Sequence, residues 1–164
     1  MRIPIVNEQD EIIGYKERKD RNKDEITRVT ALWITDKDRN VLLAQRAFTK
    51  DYSPGRWGPA VAGTVEEGET YESNIIKEAE EELGLKNVKP LFSHKVLKDS
   101  SHKFFGQWFI LVIDRDTMIK IQEDEVEQVK WFSRGEIIKL YSQNPDLFVA
   151  SFVDEMKYFL NYEN

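Results

Sequence analysis

The most constraining feature of this 164-residue sequence is an acidic segment over residues 63–85 that glycines punctuate. It holds eight glutamates against one lysine, whereas the whole chain carries a formal charge of −6, so the excess negative charge is concentrated here. Apolar residues recur at every fourth position from Tyr71 to Leu83, and Gly84 follows them as a natural left-handed stop. The pattern predicts a helix over residues 71–83.

Three glutamates of this predicted helix share one face. Glu78, Glu81 and Glu82 lie at positions i, i+3 and i+4, where like charges repel. The helix dipole also disfavours negative charge near the C-terminal end. Oxygen ligands in such a cluster suit Mg²⁺ or Mn²⁺, whose charge would relieve the repulsion. We therefore expect a metal site, and the alternative is an acidic helix face exposed to solvent.

Composition restricts the class of protein further. The length predicts a single domain over residues 1–164 with a sizeable core. The net charge of −6 argues against a nucleic-acid partner. The absence of cysteine excludes disulfides and cysteine nucleophiles, and it is compatible with a cytoplasmic location. Because apolar runs are short and acids interrupt the N-terminal residues, we expect neither a membrane span nor a signal peptide.

Residue patterns outside the acidic segment predict a mixed sheet with helices on both faces, which is an α+β architecture. A hairpin is expected near the N-terminus, and the predicted strands cover residues 3–6, 11–15, 27–35, 40–46, 88–98, 103–113 and 126–132. Ser133 and Glu136 form a capping-box pattern for a second helix, and Asn144-Pro145 is expected to open a third. An apolar stripe on this last helix is expected to join the core. It consists of Phe148, Phe152, Met156, Phe159 and Leu160.

Residues 63–85 resemble the Nudix box, G-x5-E-x7-R-E-U-x-E-E-x-G-U, in which U is aliphatic. The matching residues are Gly63, Glu69, Glu78, Ala79, Glu81, Glu82, Gly84 and Leu85. One position departs, because Lys77 stands where the box has arginine and lysine lacks the planar fork that orients a carboxylate. The resemblance implies a Nudix-type α/β/α sandwich in which Lys77 orients the box glutamates.

Over residues 3–140 the sequence also resembles the Nudix branch that contains type I isopentenyl-diphosphate isomerase. The stretches VNEQDEIIGYKER and LLAQRAFTKDYSPGRWGPAVAG carry this resemblance. It implies that Arg46 and Lys50 bind the diphosphate of the substrate, with Arg18 as a weaker third candidate. Arginine suits this role because its fork matches phosphate oxygens, and the alternative for each residue is a surface charge.

The residues that isomerase chemistry requires are missing. The catalytic cysteine of the isomerases falls on Ala62, and two of their metal-binding histidines fall on Thr27 and Thr64. His94 and His102 do not occupy those positions, and each is expected to be a surface or hydrogen-bonded strand histidine. The resemblance therefore implies an isomerase-like Nudix hydrolase.

The sequence predicts Mg²⁺-dependent hydrolysis of a diphosphate linkage in a nucleoside diphosphate derivative, by water attack on phosphorus. The expected metal ligands are Glu78, Glu82, Glu81, the carbonyl of Gly63 and Glu125. Glu82 or Glu81 is expected to take the proton of the attacking water, and a carboxylate outside the box is the alternative. Glu123 and Glu125 match a late acidic pair of the isomerase branch, although a solvated loop explains them equally well.

Two other classes of function remain open from the sequence. One is a non-catalytic nucleotide-binding or regulatory module, because a fold does not determine activity. The other, less favoured, is a true isomerase. Trp57, just before the box, could stack on a base or pack in the core, and we favour packing. The expected partner is a small-molecule diphosphate, whereas the sequence leaves its leaving group and the oligomeric state open.

Overall fold

The computed structural model describes residues 1–161 of the chain. Its first two strands, β1 (Arg2–Val6) and β2 (Ile12–Glu17), form the predicted antiparallel hairpin. Asp10 in the hairpin turn adopts a left-handed conformation with φ of 62°. The carboxylate of Asp10 accepts hydrogen bonds from Arg28 and Lys95, which fasten the hairpin to the rest of the molecule.

A seven-stranded mixed sheet forms the centre of the fold. Its strands are β3 (Thr27–Thr35), β4 (Val41–Arg46), β5 (Trp57–Pro59), β6 (Val61–Thr64), β7 (Leu91–Asp99), β8 (Lys103–Val112) and β9 (Val126–Phe132). The order across the sheet is β5-β4-β3-β8-β7, and β6 pairs with β3 while β9 pairs with β4. Strands β3 and β8 are parallel, and the other pairs are antiparallel.

The sheet divides between its two middle strands. β3 and β4 pair only where Ile34 meets Leu42 and Thr35 meets Val41. Beyond that point β6 continues the pairing of β3, and β5 continues that of β4. The sequence did not predict β5 and β6, because strands of three and four residues that contain glycine or proline give no periodic pattern. This division creates the opening in which the candidate site lies.

Helices cover both faces of the sheet, as predicted. α1 (Tyr71–Leu83) packs on one face, whereas α2 (Arg134–Gln143) and α3 (Val153–Asn161) pack on the other. α1 begins at the capping residue Thr70 and ends at Gly84, whose φ of 68° confirms the expected left-handed stop. The capping box of Ser133 with Glu136 is also present. Within residues 1–161, no helix has the length and apolar character needed to cross a bilayer.

The expectation that Asn144-Pro145 opens the last helix is wrong. Pro145 begins a short 3₁₀ turn, Pro145–Leu147, and a second one, Ala150–Phe152, precedes α3. Between the two turns the backbone N–H of Val149 bonds to the carbonyl of Trp57 at 2.8 Å, which holds the chain to the sheet and delays the helix. The apolar stripe is nevertheless buried as expected, at Phe148, Phe152, Met156, Phe159 and Leu160.

Candidate active site

A cleft of about 160 Å³ lies where β3 and β4 separate. Small residues on neighbouring strands, Ala31, Ala44 and Ala62, leave room for it. Charged residues line the cleft on two sides. Arg46, Glu82 and Glu125 lie on the β4 side, and Lys98 and Glu155 lie on the β7 side.

Glu78 of α1 lies against Gly63 of β6. A Cβ atom added to Gly63 would be 2.4 Å from Cγ of Glu78, so only glycine permits this approach. Burial raises the pKa of Glu78 to about 7, and the carboxylates of Glu81 and Glu69 add to the rise while Lys77 opposes it. Glu78 is therefore a carboxylate that would be stabilised by a further positive charge.

Glu82 lies one helical turn further along α1 and lines the cleft. Its Oε2 accepts a hydrogen bond of 3.3 Å from the backbone N–H of Ala62. Burial raises the pKa of Glu82 to about 8, and repulsion from the carboxylates of Glu78 and Glu125 contributes. Two acids with raised pKa values one helical turn apart, one of which lines a cleft, mark a candidate functional site.

Lys77 lies among the acids of the box. Its ammonium is 2.6 Å from a carboxylate oxygen of Glu69, 2.9 Å from one of Glu66 and 3.8 Å from Oε1 of Glu78. Burial opposes the ionisation of Glu69, yet hydrogen bonds from Lys77 and the backbone N–H of Glu66 hold the pKa of Glu69 below its usual range. The lysine thus contacts the glutamates that the arginine of the box is expected to orient.

Asn74 is a buried member of the site that sequence reasoning missed. Its amide donates to the carbonyl of Thr64 at 3.1 Å and to Oε2 of Glu69 at 2.8 Å, and its side-chain oxygen accepts from the hydroxyl of Thr30. It also contacts Oε1 of Glu78 at 3.4 Å. Asn74 thereby joins α1 to β3 and β6. The sequence feature that could have identified Asn74 is a polar residue within the apolar face of the predicted helix.

Arg46 and Lys50, the two expected phosphate-binding residues, lie near the acids. Arg46 lines the cleft, and its Nε donates to the carbonyl of Tyr52 at 2.8 Å. Lys50 forms an ion pair of 2.6 Å with Glu125, which also lines the cleft. The structure therefore brings Arg46, Lys50 and Glu125 to the side of the cleft that holds Glu82.

Other expected residues lie apart from the cleft. Arg18 belongs to a surface turn, Arg18–Asp20, next to the N-terminus, and it does not line the cleft. Glu81 is exposed on α1, although its charge acts on Glu78. Trp57 packs edge-on against Phe132 with ring centroids 5.1 Å apart, in agreement with a packing role.

The histidines behave as expected of hydrogen-bonded or surface residues. Nε2 of His94 on β7 is 2.7 Å from Oε2 of Glu155, and the ring lies beside Trp108. His102 lies in the turn between β7 and β8, and burial, together with Arg21 and Arg18, lowers its pKa. Neither histidine adjoins the glutamates of the box.

The acids on α1 fit a magnesium ion in donor chemistry. Mg²⁺ is commonly held by one or two carboxylates, with water and substrate phosphates completing its shell. Glu78 and Glu82 supply two carboxylates, and the space above Gly63 lets Glu78 approach the strand. Within residues 1–161, no three acidic or histidine side chains converge into a complete metal cluster. The fit therefore rests on two carboxylates rather than on a full protein cage.

Sequence reasoning also missed the charged residues on the β7 side of the cleft. Nζ of Lys98 is 2.7 Å from Oε1 of Glu155, and both side chains are largely buried. The signal was present, because Glu155 lies on the apolar stripe of the last helix, three residues after Phe152 and four before Phe159. A carboxylate at such a position needs a partner, and Lys98 lies 57 residues away in sequence, beyond local patterns.

Comparison with known proteins identifies the family. The NUDIX domain model matches residues 25–152. The "Uncharacterized Nudix hydrolase YfcD" of Salmonella typhi is 31% identical over 138 residues, which cover 82% of this chain and 73% of that protein. "Isopentenyl-diphosphate Delta-isomerase 2" of Photorhabdus laumondii is 28% identical over 156 residues, which cover 92% of this chain and 87% of the relative.

The fold agrees with this result. The crystal structure of DR0079 from Deinococcus radiodurans superposes with a TM-score of 0.73 at 22% identity, covering 88% of this chain and 90% of that one. The chain therefore belongs to the Nudix family, and the predicted α/β/α architecture is confirmed. The predicted enzyme class, a Nudix pyrophosphohydrolase, is confirmed as well.

Proposed function

We propose that the chain hydrolyses the diphosphate linkage of a nucleoside diphosphate derivative, with Mg²⁺ as cofactor and Mn²⁺ as a substitute. The observation that carries the proposal is the pair of partly buried carboxylates, Glu78 and Glu82, one helical turn apart on α1, of which Glu82 lines a cleft that Arg46 also lines. Buried acids with raised pKa values are costly to keep ionised without a cation. Arginine beside them provides a partner for phosphate oxygens.

In this proposal Glu82 has two roles and each of the other residues has one. Glu78 and Glu82 would hold the metal ion with the carbonyl of Gly63, and Glu125, whose carboxylate pairs with Lys50 at 2.6 Å, would become a further ligand only by leaving that ion pair. Arg46 and Lys50 bind and orient the diphosphate. Glu82 takes the proton of the attacking water, and exposed Glu81 is the second candidate for that step. Arg18 has no part, because it lies away from the cleft.

When bound, the metal ion supplies positive charge that stabilises the charge developing on phosphoryl oxygens and lowers the pKa of water. Lys77 keeps Glu69 and Glu78 in place through contacts of 2.6 and 3.8 Å. The apolar part of the cleft, which includes Val29, Phe104 and Trp108, would contact the substituent of the diphosphate. The residues that would hold the metal ion and bind the diphosphate lie on α1, β6 and β4, next to one side of the cleft.

An isomerase finds little support in the same cleft. Ala62 lines it with a methyl group that cannot transfer a proton, and the chain has no cysteine. The named isomerase among the relatives is 28% identical, which supports the family without supporting that chemistry here. A non-catalytic binding module would keep the cleft and the acids but show no turnover.

The test is a panel of diphosphate compounds with products identified by mass. We would incubate the protein with nucleoside di- and triphosphates, dinucleotides, nucleotide sugars, coenzyme A and prenyl diphosphates, each with Mg²⁺ and with excess chelator. Hydrolysis of a nucleoside diphosphate derivative with Mg²⁺ alone is expected. Turnover in excess chelator would contradict the metal role, and no turnover of any compound would favour the binding module.

A pair of variants on α1 assigns the activity to the site. Glu82→Gln should lower kcat by about a hundredfold or more, because it removes the charge that acts on water and metal. Glu80→Gln is the matched control, since Glu80 lies two residues away on the same helix and is exposed. The carboxylate of Glu80 pairs with the ammonium of Lys86 at 3.5 Å, away from the cleft. Equal activity of the two variants would move the catalytic role away from Glu82.

A further inference from the structure

The floor of the cleft contains a slot above Gly106. This glycine lies in β8 between Phe104 and Trp108, which point to the same face of the sheet and also line the cleft. A Cβ atom added to Gly106 would be 3.4 Å from Cε2 of Phe104 and 3.9 Å from Nε1 of Trp108. Glycine inside a strand weakens it, and it often marks a place where a ligand approaches closely. The missing side chain leaves a space beside the two aromatic rings, which we call the slot.

Charged groups close the same side of the cleft. Lys98 follows Val96 on β7, and both residues line the cleft beside the glycine, since Val96 pairs with Gly106 and Lys98 pairs with Phe104. Glu155 of α3 lies opposite, only 5% exposed, with Oε1 at 2.7 Å from Lys98 and Oε2 at 2.7 Å from His94. The charge of this buried acid is thus compensated within the protein.

Both groups keep capacity for a ligand. An ammonium has three protons, and within residues 1–161 two carboxylates pair with Lys98, that of Glu155 at 2.7 Å and that of Asp154 at 3.1 Å. A carboxylate has about four lone-pair sites, and the contacts with Lys98 and His94 occupy two at Glu155. The side of the cleft next to the slot therefore offers one further donor and further acceptor positions side by side.

We propose that Gly106, Lys98 and Glu155 recognise a flat heteroaromatic ring with neighbouring hydrogen-bond donor and acceptor, namely the base of a nucleotide. The ring enters the slot beside Phe104 and Trp108, while its polar edge bonds to Lys98 and Glu155. This inference rests on the proposed function, and it names the part of the substrate that lies away from the diphosphate.

The placement of the two charged sides supports a nucleotide over a prenyl diphosphate. One charged side lies near β6, where Ala62 is beside Glu82, and the other lies on β7. The strands run in the order β6-β3-β8-β7, so three strand spacings, or roughly 14 Å, separate the two sides. A sugar between the diphosphate and the ring would span the middle of the cleft. A prenyl chain has no polar group for the remaining donor of Lys98 or the remaining acceptor positions of Glu155, whereas the edge of a base offers an acceptor and a donor side by side.

The test compares substrates with and without a base. We would measure kcat/KM for ADP, GDP, CDP and UDP and for methyl diphosphate, in the wild-type protein, Lys98→Met, Glu155→Gln and Gly106→Val. The two polar changes should lower kcat/KM for the preferred nucleotide by about tenfold or more and leave methyl diphosphate within about twofold. Gly106→Val should produce the same pattern by filling the slot.

Lys95→Met is the matched control. Lys95 lies on the same strand, and it also pairs with a carboxylate, that of Asp10 at 2.6 Å, but it does not line the cleft. We expect it to leave the ratio of the two kcat/KM values unchanged. The melting temperature of each variant would be measured first. If one of Lys98→Met, Glu155→Gln and Gly106→Val does not fold, the comparison would use the remaining two.

The outcomes separate the inference from the proposed function. An equal loss for the nucleotide and for methyl diphosphate, or no loss for either, would overturn the base-recognition role. If the wild-type protein cleaved no diphosphate, the proposed function would fail, and titration calorimetry with AMP, GMP, CMP and UMP would still decide the inference. The base-recognition role is supported if Lys98→Met weakens nucleotide binding about tenfold and Lys95→Met leaves it unchanged. It is overturned if the wild-type protein binds no nucleotide, or if the two variants weaken binding equally.

Discussion

The side chain of Glu78 occupies the space that any side chain at residue 63 would fill. A Cβ atom on Gly63 would be 2.4 Å from Cγ and 2.5 Å from Cδ of Glu78, well inside van der Waals contact. The glycine of β6 and the glutamate of α1 are therefore a matched pair, because the helix brings its carboxylate to the strand only where the strand has no side chain.

Gly63→Ala should displace Glu78 from its position. We expect the free energy of unfolding to fall by about 1–3 kcal/mol through overpacking, and kcat to fall much further than this loss of stability explains. Denaturant unfolding and steady-state kinetics on the same preparation would measure the two effects.

Gly14→Ala controls for the general effect of replacing a strand glycine, because a Cβ atom there would have no heavy atom within 4 Å. It should leave both kcat and stability close to those of the wild-type protein. A Gly63→Ala variant with the same kcat as Gly14→Ala would contradict the role assigned to the position of Glu78.

The raised pKa values predict how the stability of the metal-free protein depends on pH. Burial raises the pKa of Glu78 to about 7 and that of Glu82 to about 8 from the usual 4.5. Between pH 4.5 and about pH 8 the folded protein keeps protons on these two carboxyl groups that the unfolded chain has released. The free energy of unfolding therefore falls as pH rises through this range. The contribution of these two groups to stability is complete below pH 4.5, and it is lost as pH rises to about 8.

Thermal unfolding in chelator over this pH range would measure the effect. Glu82→Gln should flatten the decline and raise Tm above that of the wild-type protein at pH 8.5, with about 2–4 °C for each kcal/mol recovered. Glu80→Gln should keep the wild-type slope, and Mg²⁺ should raise the wild-type Tm by binding the folded state. Parallel slopes for wild type and Glu82→Gln would show that Glu82 does not titrate in this range.

Lys77 offers a test of positioning within the box. Lys77→Met removes the contacts with Glu66, Glu69 and Glu78, so we expect kcat to fall by about tenfold or more with a smaller change in KM. Lys77→Arg restores a positive charge and adds a planar fork, and it should recover most of the activity. Equal kcat values for Lys77→Met and the wild-type protein would show that the lysine orients no group needed for turnover.

The parts of the fold that were predictable depend on local signals. The recurrence of Tyr71, Ile75, Ala79 and Leu83 determines α1, and Gly84 ends it as expected, because side-chain period and conformational freedom are properties of the local sequence. Strand β3 agrees with prediction over its whole length for the same reason. The third helix was placed too early because Pro145 favours a helix start in isolation, whereas the bond from Val149 to Trp57 is a tertiary contact.

The site was predictable only on the side that the Nudix resemblance covers. Residues of the box lie within one continuous segment, so their spacing in the sequence is enough to identify them. The slot at Gly106 and the pair of Lys98 with Glu155 depend on which strands become neighbours and where β3 separates from β4. No local pattern encodes that separation, because it results from the pairing of two very short strands.

The resemblance to the isomerase branch makes residue 62 a test of hydrolysis against isomerisation. Wild-type protein should convert no isopentenyl diphosphate to dimethylallyl diphosphate, because Ala62 supplies no proton donor. Ala62→Cys should not gain this activity, since by the same resemblance Thr27 and Thr64 replace two metal-binding histidines of the isomerases, and such groups act together. Product analysis by chromatography would check both proteins, and dimethylallyl diphosphate from the wild type would contradict the hydrolase assignment.

The most direct test of the central claim follows the oxygen of water into the product. The wild-type protein and Glu82→Gln would each be incubated with the preferred nucleoside diphosphate derivative and Mg²⁺ in ¹⁸O-labelled water, with Glu80→Gln as control. We expect one ¹⁸O atom in a phosphate product of the wild type and of Glu80→Gln, formed about a hundredfold more slowly by Glu82→Gln. Product without ¹⁸O on phosphorus, or equal rates in all three proteins, would contradict water attack on phosphorus at the site formed by Glu78 and Glu82.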